Sequence, residues 1–127
     1  MANAAVSPAR EKGGAKNIVA WVLCILLACE FISVGVLKLI GASAEVQIFD
    51  QVGIGQWFRY FTGVIEVLFG LALLAPKRSR RAAAVLMLGM LGAITAHPTR
   101  LHSSPLVAIA TLVLLVAAAR LRRPAVR

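Results

Sequence analysis

Four long apolar runs separated by short polar segments restrict this chain to a membrane fold. The runs cover residues 18–40, 57–75, 82–96 and 105–120. Of the 127 residues, 60% are hydrophobic and only 15% are charged, whereas soluble domains are about 45–50% apolar. Inside a bilayer the backbone polar groups must bond to one another, and consecutive apolar residues achieve this as helices. The sequence therefore predicts an integral membrane protein with one small domain.

We predict an all-α fold, a four-helix transmembrane bundle in which each run forms one helix. The last two runs are short beside the roughly 17–25 residues of most transmembrane helices. Residues 41–56 mix apolar and polar side chains, and this amphipathic segment between the first two helices is expected at the membrane interface as a short helix. The predicted organisation is a flexible basic N-terminal tail, a transmembrane domain and a basic C-terminal tail, over residues 1–17, 18–120 and 121–127.

The basic residues predict the orientation. Eleven of the 14 Lys and Arg lie in residues 1–17, in the turn at 76–81 or from residue 120 onward. Positive loops remain cytoplasmic, so both termini are expected in the cytoplasm. We also expect the chain to cross the inner (plasma) membrane of a bacterium several times. Basic clusters between apolar runs face lipid headgroups. We therefore expect the lipid bilayer, and no nucleic acid, as the partner of this charge.

Glu66 lies in the middle of the second apolar run. An acidic side chain at the bilayer centre costs about 2.5–3.5 kcal/mol on insertion scales, and such residues usually serve function. Arg59, Thr62, Gly63 and Gly70 recur with Glu66 at helical spacing and form one stripe. Small residues in a stripe allow another helix to approach closely. Glu66 is therefore expected to face protein rather than lipid.

Glu30 and Lys38 lie two turns apart in the first apolar run. Antiparallel packing of the first two helices would place Glu30 level with Glu66, and Lys38 level with Arg59. Two carboxylates at close range cannot both ionise easily, so they can hold and pass a proton. The predicted site is a polar pocket that opens outward, with Glu66 and Glu30 as catalytic groups and Lys38, Arg59, Thr62 and His97 as substrate-binding groups. The alternative is that Glu30–Lys38 and Arg59–Glu66 are ion pairs that only permit packing.

The cysteines and histidines do not predict a metal or haem site. Cys24 and Cys29 lie five residues apart on one helix, and the chain has no C-x-x-C motif. Two Cys and two His do not converge by spacing, and only His97 lies close to a helix, where a haem would need it. We expect no metal and no covalently bound cofactor, and we interpret both cysteines as packing residues.

Several motifs occur in a characteristic order along the chain. GVLKLIG covers residues 35–41, TGVIEVLFG covers residues 62–70, and MLGMLGA at residues 87–93 precedes His97. Over about residues 18–120 these motifs resemble the DoxX-like family of small four-helix membrane proteins. The resemblance implies cytoplasmic termini. It also implies a link to redox chemistry, since some members are connected with thiosulfate:quinone oxidoreduction and others are membrane anchors in complexes that handle thiol oxidation stress.

Three functions are compatible with these features. The first is a membrane component of a quinone or thiol oxidoreductase system, in which Glu66, Lys38 and Arg59 line a quinone site. Glu66 would take a quinol proton there, and the electrons would come from a soluble redox protein. The second is a stand-alone enzyme in which Glu66 and Glu30 are general acid and base for a small lipophilic substrate. The third is a proton-coupled small-molecule transporter, against which the strong charge bias speaks.

Small-residue faces in the third apolar run favour close helix contact. Gly89-x-x-x-Ala93 and Gly92-x-x-x-Ala96 have the spacing at which helices approach one another in membranes. These faces make a homo-oligomer a further candidate partner.

Overall fold

The computed structural model describes residues 8–97 and 105–122, and this part of the chain forms five helices and no strand. The helices are α1 (Pro8–Ile40), α2 (Ser43–Val52), α3 (Gln56–Ala72), α4 (Ser79–Ala96) and α5 (Leu106–Leu121). The all-α prediction is confirmed, and the amphipathic segment forms α2. The predicted C-terminal tail lies outside the described residues from position 123 onward, as do the first seven residues of the N-terminal tail.

The helix ends differ from the apolar runs by a few residues. The largest difference is at α1, which begins at Pro8 rather than near Ile18. Proline is compatible with the first helical turn, and adding residues to an existing helix costs far less than starting one. The polar residues before Ile18 therefore continue α1 beyond its apolar part. α3 ends at Ala72 and α4 begins at Ser79, so the turn between them has the predicted six residues but lies three residues earlier in the chain.

Two of the helices are long and apolar enough to cross a membrane, namely α1 over Gly13–Ile40 and α4 over Ser79–Ala96. α5 is apolar but has 16 residues, and α3 has 17. The helical, apolar character agrees with a membrane protein. The arrangement of four crossings with cytoplasmic termini stays a prediction.

α1 and α3 pack antiparallel through glycines. A Cβ atom on Gly35 would lie 2.9 Å from the carbonyl oxygen of Gly63, and one on Gly63 would lie 3.1 Å from Lys38 Cβ. One on Gly70 would lie 3.1 Å from Ile32 Cγ1. Contacts this short leave room only for hydrogen, so the glycines fix how far α3 can slide along α1. The stripe predicted on α3 is buried at Arg59, Gly63, Glu66 and Gly70.

An apolar core joins α1, α4 and α5 and the end of α3. Its members are small or aliphatic apart from one aromatic ring: Cys24, Leu27, Ala28, Phe31, Leu73, Ala82, Ala83, Leu86, Leu115 and Ala118. Cys24 is a packing residue as predicted, whereas Cys29 is exposed on the outer surface, and both thiols are free. This core packs against the middle of α1, at residues 24–31, whereas Lys38 lies near the C-terminal end of the helix. The polar residues of α1 and α3 thus lie mainly beside the core rather than within it.

Candidate functional site

The centre of the site is an ion pair between α1 and α3. The Lys38 ammonium donates a hydrogen bond of 2.6 Å to Glu66 Oε1. Both side chains are only 12% exposed. The pair replaces the two ion pairs that the sequence suggested, because Lys38 bonds Glu66 rather than Glu30, and Arg59 does not reach Glu66.

The glycine contacts explain why Lys38 pairs with Glu66 and not with Glu30. They place Lys38 beside Gly63, three residues before Glu66 on α3. Long helical side chains project toward the N-terminus of their own helix, so Lys38 extends along α1 toward Glu66. The prediction that Glu30 is level with Glu66 is wrong by about five residues, which is about 7.5 Å at the helical rise of 1.5 Å per residue.

Arg59 holds the end of α1 instead of pairing with a carboxylate. It is 4% exposed. Its Nη1 donates to the backbone carbonyl of Lys38, and its Nε donates to Gln56 Oε1 over 2.6 Å. The helix ends at Gly41, which has a left-handed φ of 73° and donates to the same carbonyl of Lys38. A cation is favourable at a helix C-terminus, and here it fixes the backbone of the residue that carries the ion pair.

Gln56 connects this arrangement to α2. Its amide Nε2 donates to the carbonyl of Val46 over 3.1 Å and to Asp50 Oδ1 over 2.7 Å. The buried ring of Phe49 lies on the inner face of α2, with its centroid 5.8 Å from Lys38 Nζ. α2 is thus held against α3 by polar bonds on one side and against the ion pair by an aromatic ring on the other.

Glu30 is separate from the ion pair. Its Oε1 accepts a hydrogen bond of 2.9 Å from Thr111 of α5. Within residues 8–97 and 105–122, Glu30 and Glu66 share no hydrogen bond. Thr111 was not among the predicted site residues, although it is the sole hydroxyl side chain of α5 and stands in the apolar part of that helix.

A cavity of about 950 Å³ joins these groups, and we call it the ion-pair cavity. All five helices contribute to its largely apolar wall. Five of the six predicted site residues line it, and Arg59 lies behind the wall. The polar lining residues are Glu30, Lys38, Glu45, Thr62, Glu66, Thr95, His97 and Thr111. Apolar cavities of about 300–1,000 Å³ with a few convergent polar groups are typical small-molecule sites.

The glycines of α4 face open space in this structure. A Cβ on Gly89 or on Gly92 would meet no atom within 4 Å, and both residues line the ion-pair cavity. The glycines of the predicted close-packing faces therefore have no other helix against them in the described part of the chain. Small residues at these positions enlarge the cavity instead.

The second oxygen of the ion-paired carboxylate has no hydrogen-bond partner within residues 8–97 and 105–122. Among the described residues, nothing bonds Glu66 Oε2, although the atom is buried. Leaving a buried polar group unbonded costs about 1–3 kcal/mol, and more when it is charged. Because Glu66 lies in the wall of the ion-pair cavity, a molecule there with an O–H or N–H group would satisfy this oxygen.

A metal site is not formed by the residues that the structure describes, where no group of three or more His, Cys, Asp or Glu could hold an ion. The family model described as the DoxX-like family matches residues 22–120. No curated protein and no solved structure matches the chain. The matched region contains the ion pair, Arg59, Glu30, Thr111 and His97.

Proposed function

The chain belongs to the DoxX-like family of membrane proteins, and from this premise we propose that it is the membrane component of an oxidoreductase system and binds a quinone in the ion-pair cavity. The observation that carries the proposal is a buried, unbonded carboxylate oxygen beside an ammonium group in an apolar cavity of ligand size. The proposed location is the inner (plasma) membrane, with α1, α3, α4 and α5 crossing it and α2 at the interface.

The apolar wall suits a flat ring with a lipophilic tail. Phe49, Phe58 and Phe61 line the ion-pair cavity. Phe58 and Phe61 are stacked with ring centroids 6.1 Å apart, and Phe49 meets Phe58 edge-on at 5.9 Å. Aromatic side chains favour stacked and edge-on contacts with another ring. A quinone ring can therefore pack beside them while its tail follows the apolar wall.

The polar groups suit both redox forms of the ligand. A quinone has carbonyl oxygens that accept a hydrogen bond from Lys38, and a quinol has hydroxyl groups that donate to Glu66 Oε2. Interconversion of the two forms moves two electrons and two protons. In the proposed system a soluble redox protein exchanges both electrons with the ligand, Glu66 exchanges one proton at Oε2, and water exchanges the second proton.

Binding of decylubiquinone and of its quinol to the purified full-length protein tests the proposal. Glu66→Gln keeps the size of the side chain and removes its charge. A hydrogen bond to a charged group is worth about 1.5–3 kcal/mol, so the variant should bind the quinol at least about tenfold more weakly. Its affinity for the quinone should change less. Glu45→Gln is the matched control, since it removes a carboxylate from the same cavity wall without touching the ion pair, and its affinities should stay within about twofold.

Two results would contradict the quinone assignment. One is wild-type binding no stronger than to detergent micelles without protein, and the other is equal quinol binding by the wild type and Glu66→Gln. Circular dichroism should show that each variant keeps the wild-type helix content. A Glu66→Gln protein that does not fold would assign Glu66 to structure rather than to ligand.

A stand-alone enzyme for a small lipophilic substrate is the second candidate. The observation that favours it is that Glu30 and Glu66 line one cavity in unequal environments, the first exposed and the second buried. Carboxyl groups in unlike surroundings suit the roles of general acid and general base. Conversion of a bound ligand by the purified protein alone, lost in both Glu30→Gln and Glu66→Gln while binding persists, would favour the enzyme.

A further inference from the structure

A small groove between the end of α3 and the beginning of α4 lies apart from the ion-pair cavity. Its volume is about 290 Å³, and its walls are apolar except for two arginines; they comprise Leu68, Phe69, Ala72, Arg78, Arg81 and Ala82. We propose that this α3–α4 groove binds the phosphate group of an anionic phospholipid. The proposal does not depend on the quinone assignment.

The charge of the groove is uncompensated. Arg78 precedes α4, and Arg81 lies three residues later, a spacing that brings side chains to the same side of a helix. Both are exposed, and within the described part of the chain neither forms an ion pair or a side-chain hydrogen bond. Guanidinium groups bind phosphate oxygens through paired N–H donors. The groove thus offers up to two such forks to one anion.

The apolar wall indicates a lipid rather than a soluble anion. Leu68 is 58% exposed at the edge of the groove, where a soluble phosphate would gain nothing from it. Arg78 and Arg81 lie where α3 is joined to α4, and the membrane crossings proposed above put this junction at the depth of the lipid headgroups. Basic pockets between membrane helices bind anionic headgroups at that depth, while the glycerol and acyl chains lie along the apolar side.

Native mass spectrometry of the full-length protein, titrated in detergent with phosphatidylglycerol or with phosphatidylcholine, tests the proposal. We expect the wild type to retain phosphatidylglycerol about tenfold better than phosphatidylcholine. Arg78→Gln/Arg81→Gln should lose this preference. Lys77→Gln/Arg80→Gln is the matched control, because it removes two charges from the same turn at residues that do not line the groove, and it should keep the preference.

Several outcomes would overturn the lipid site. Equal losses in both double variants would mean diffuse attraction to the basic turn, and no preference in the wild type would mean that the headgroup charge is not recognised. Displacement of phosphatidylglycerol by inorganic phosphate at equal concentration would assign the groove to a soluble anion.

Leu68→Gln tests the apolar wall independently of the arginines. Because Leu68 is 58% exposed, the variant should stay folded, and its retention of phosphatidylglycerol should fall severalfold. Unchanged retention in Leu68→Gln would also overturn the proposal.

Discussion

Replacing Lys38 with methionine isolates the contribution of the ion pair to stability. Methionine keeps most of the apolar stem of lysine and removes the ammonium group, which lies 2.6 Å from Glu66 Oε1. Glu66 Oε2 already has no partner among the described residues, so the variant leaves the whole carboxylate unbonded in a site where it is 12% exposed. Removing one member of a buried pair costs about 3–5 kcal/mol, and we expect Lys38→Met to lie in this range.

A double-mutant cycle measures the effect directly. The proteins are wild type, Lys38→Met, Glu66→Leu and the double variant, each unfolded by denaturant in detergent micelles and followed by circular dichroism. Replacing a whole buried pair with apolar side chains is often neutral or stabilising. The free energy of unfolding of the double variant should therefore be within about 1 kcal/mol of the wild-type value or higher. Lys77→Met, on the exposed turn, is the control and should change the free energy of unfolding by less than about 0.5 kcal/mol.

A free energy of unfolding for Lys38→Met within about 1 kcal/mol of the wild-type value would contradict this expectation. A double variant as unstable as the less stable single variant would contradict it too, since the stabilisation would then come from packing of the lysine and glutamate stems rather than from their charges. In either case the charge of Lys38 would not be what offsets the cost of burying the Glu66 carboxylate.

Three further substitutions have expected effects of known sign. Gly35→Ala should destabilise the protein by about 1–3 kcal/mol, because its new methyl group overpacks the contact with α3. Gly92→Ala, in the same unfolding assay, should instead stabilise it by about 0.5–1 kcal/mol, because the methyl group meets no atom within 4 Å and alanine favours a helix. Arg59→Met should cost about 1–3 kcal/mol, because it removes the donor to the end of α1. Arg80→Met, at an exposed position in the first turn of α4, should have little effect, and similar losses from both variants would contradict the capping role.

The buried stripe of α3 was predictable because helical periodicity alone decides which residues share a face. Arg59, Gly63, Glu66 and Gly70 recur every three or four residues, and all four are buried. The helices themselves were predicted from the apolar runs, since runs of this length have few alternatives in a membrane. What a face contains can thus be obtained from one helix considered separately.

The partners across the helix interface were not predictable in the same way, because they depend on how far one helix slides along the other. A sliding error of about five residues, or about 7.5 Å, exchanges Glu30 for Lys38 as the partner of Glu66. The sequence shows the glycines that determine the position of α3 along α1, but it does not show which atoms of the other helix each glycine contacts. Arg59 was predicted to bind substrate because its true acceptor, the backbone carbonyl of Lys38, leaves no signal in the sequence.

Lys38 is held twice, by Arg59 at its backbone and by Glu66 at its side chain. Its carbonyl therefore stays in place when its ammonium changes partner. Exchange of Glu66 for another acceptor is thus confined to the lysine side chain, and the contact between α1 and α3 stays in place while it occurs.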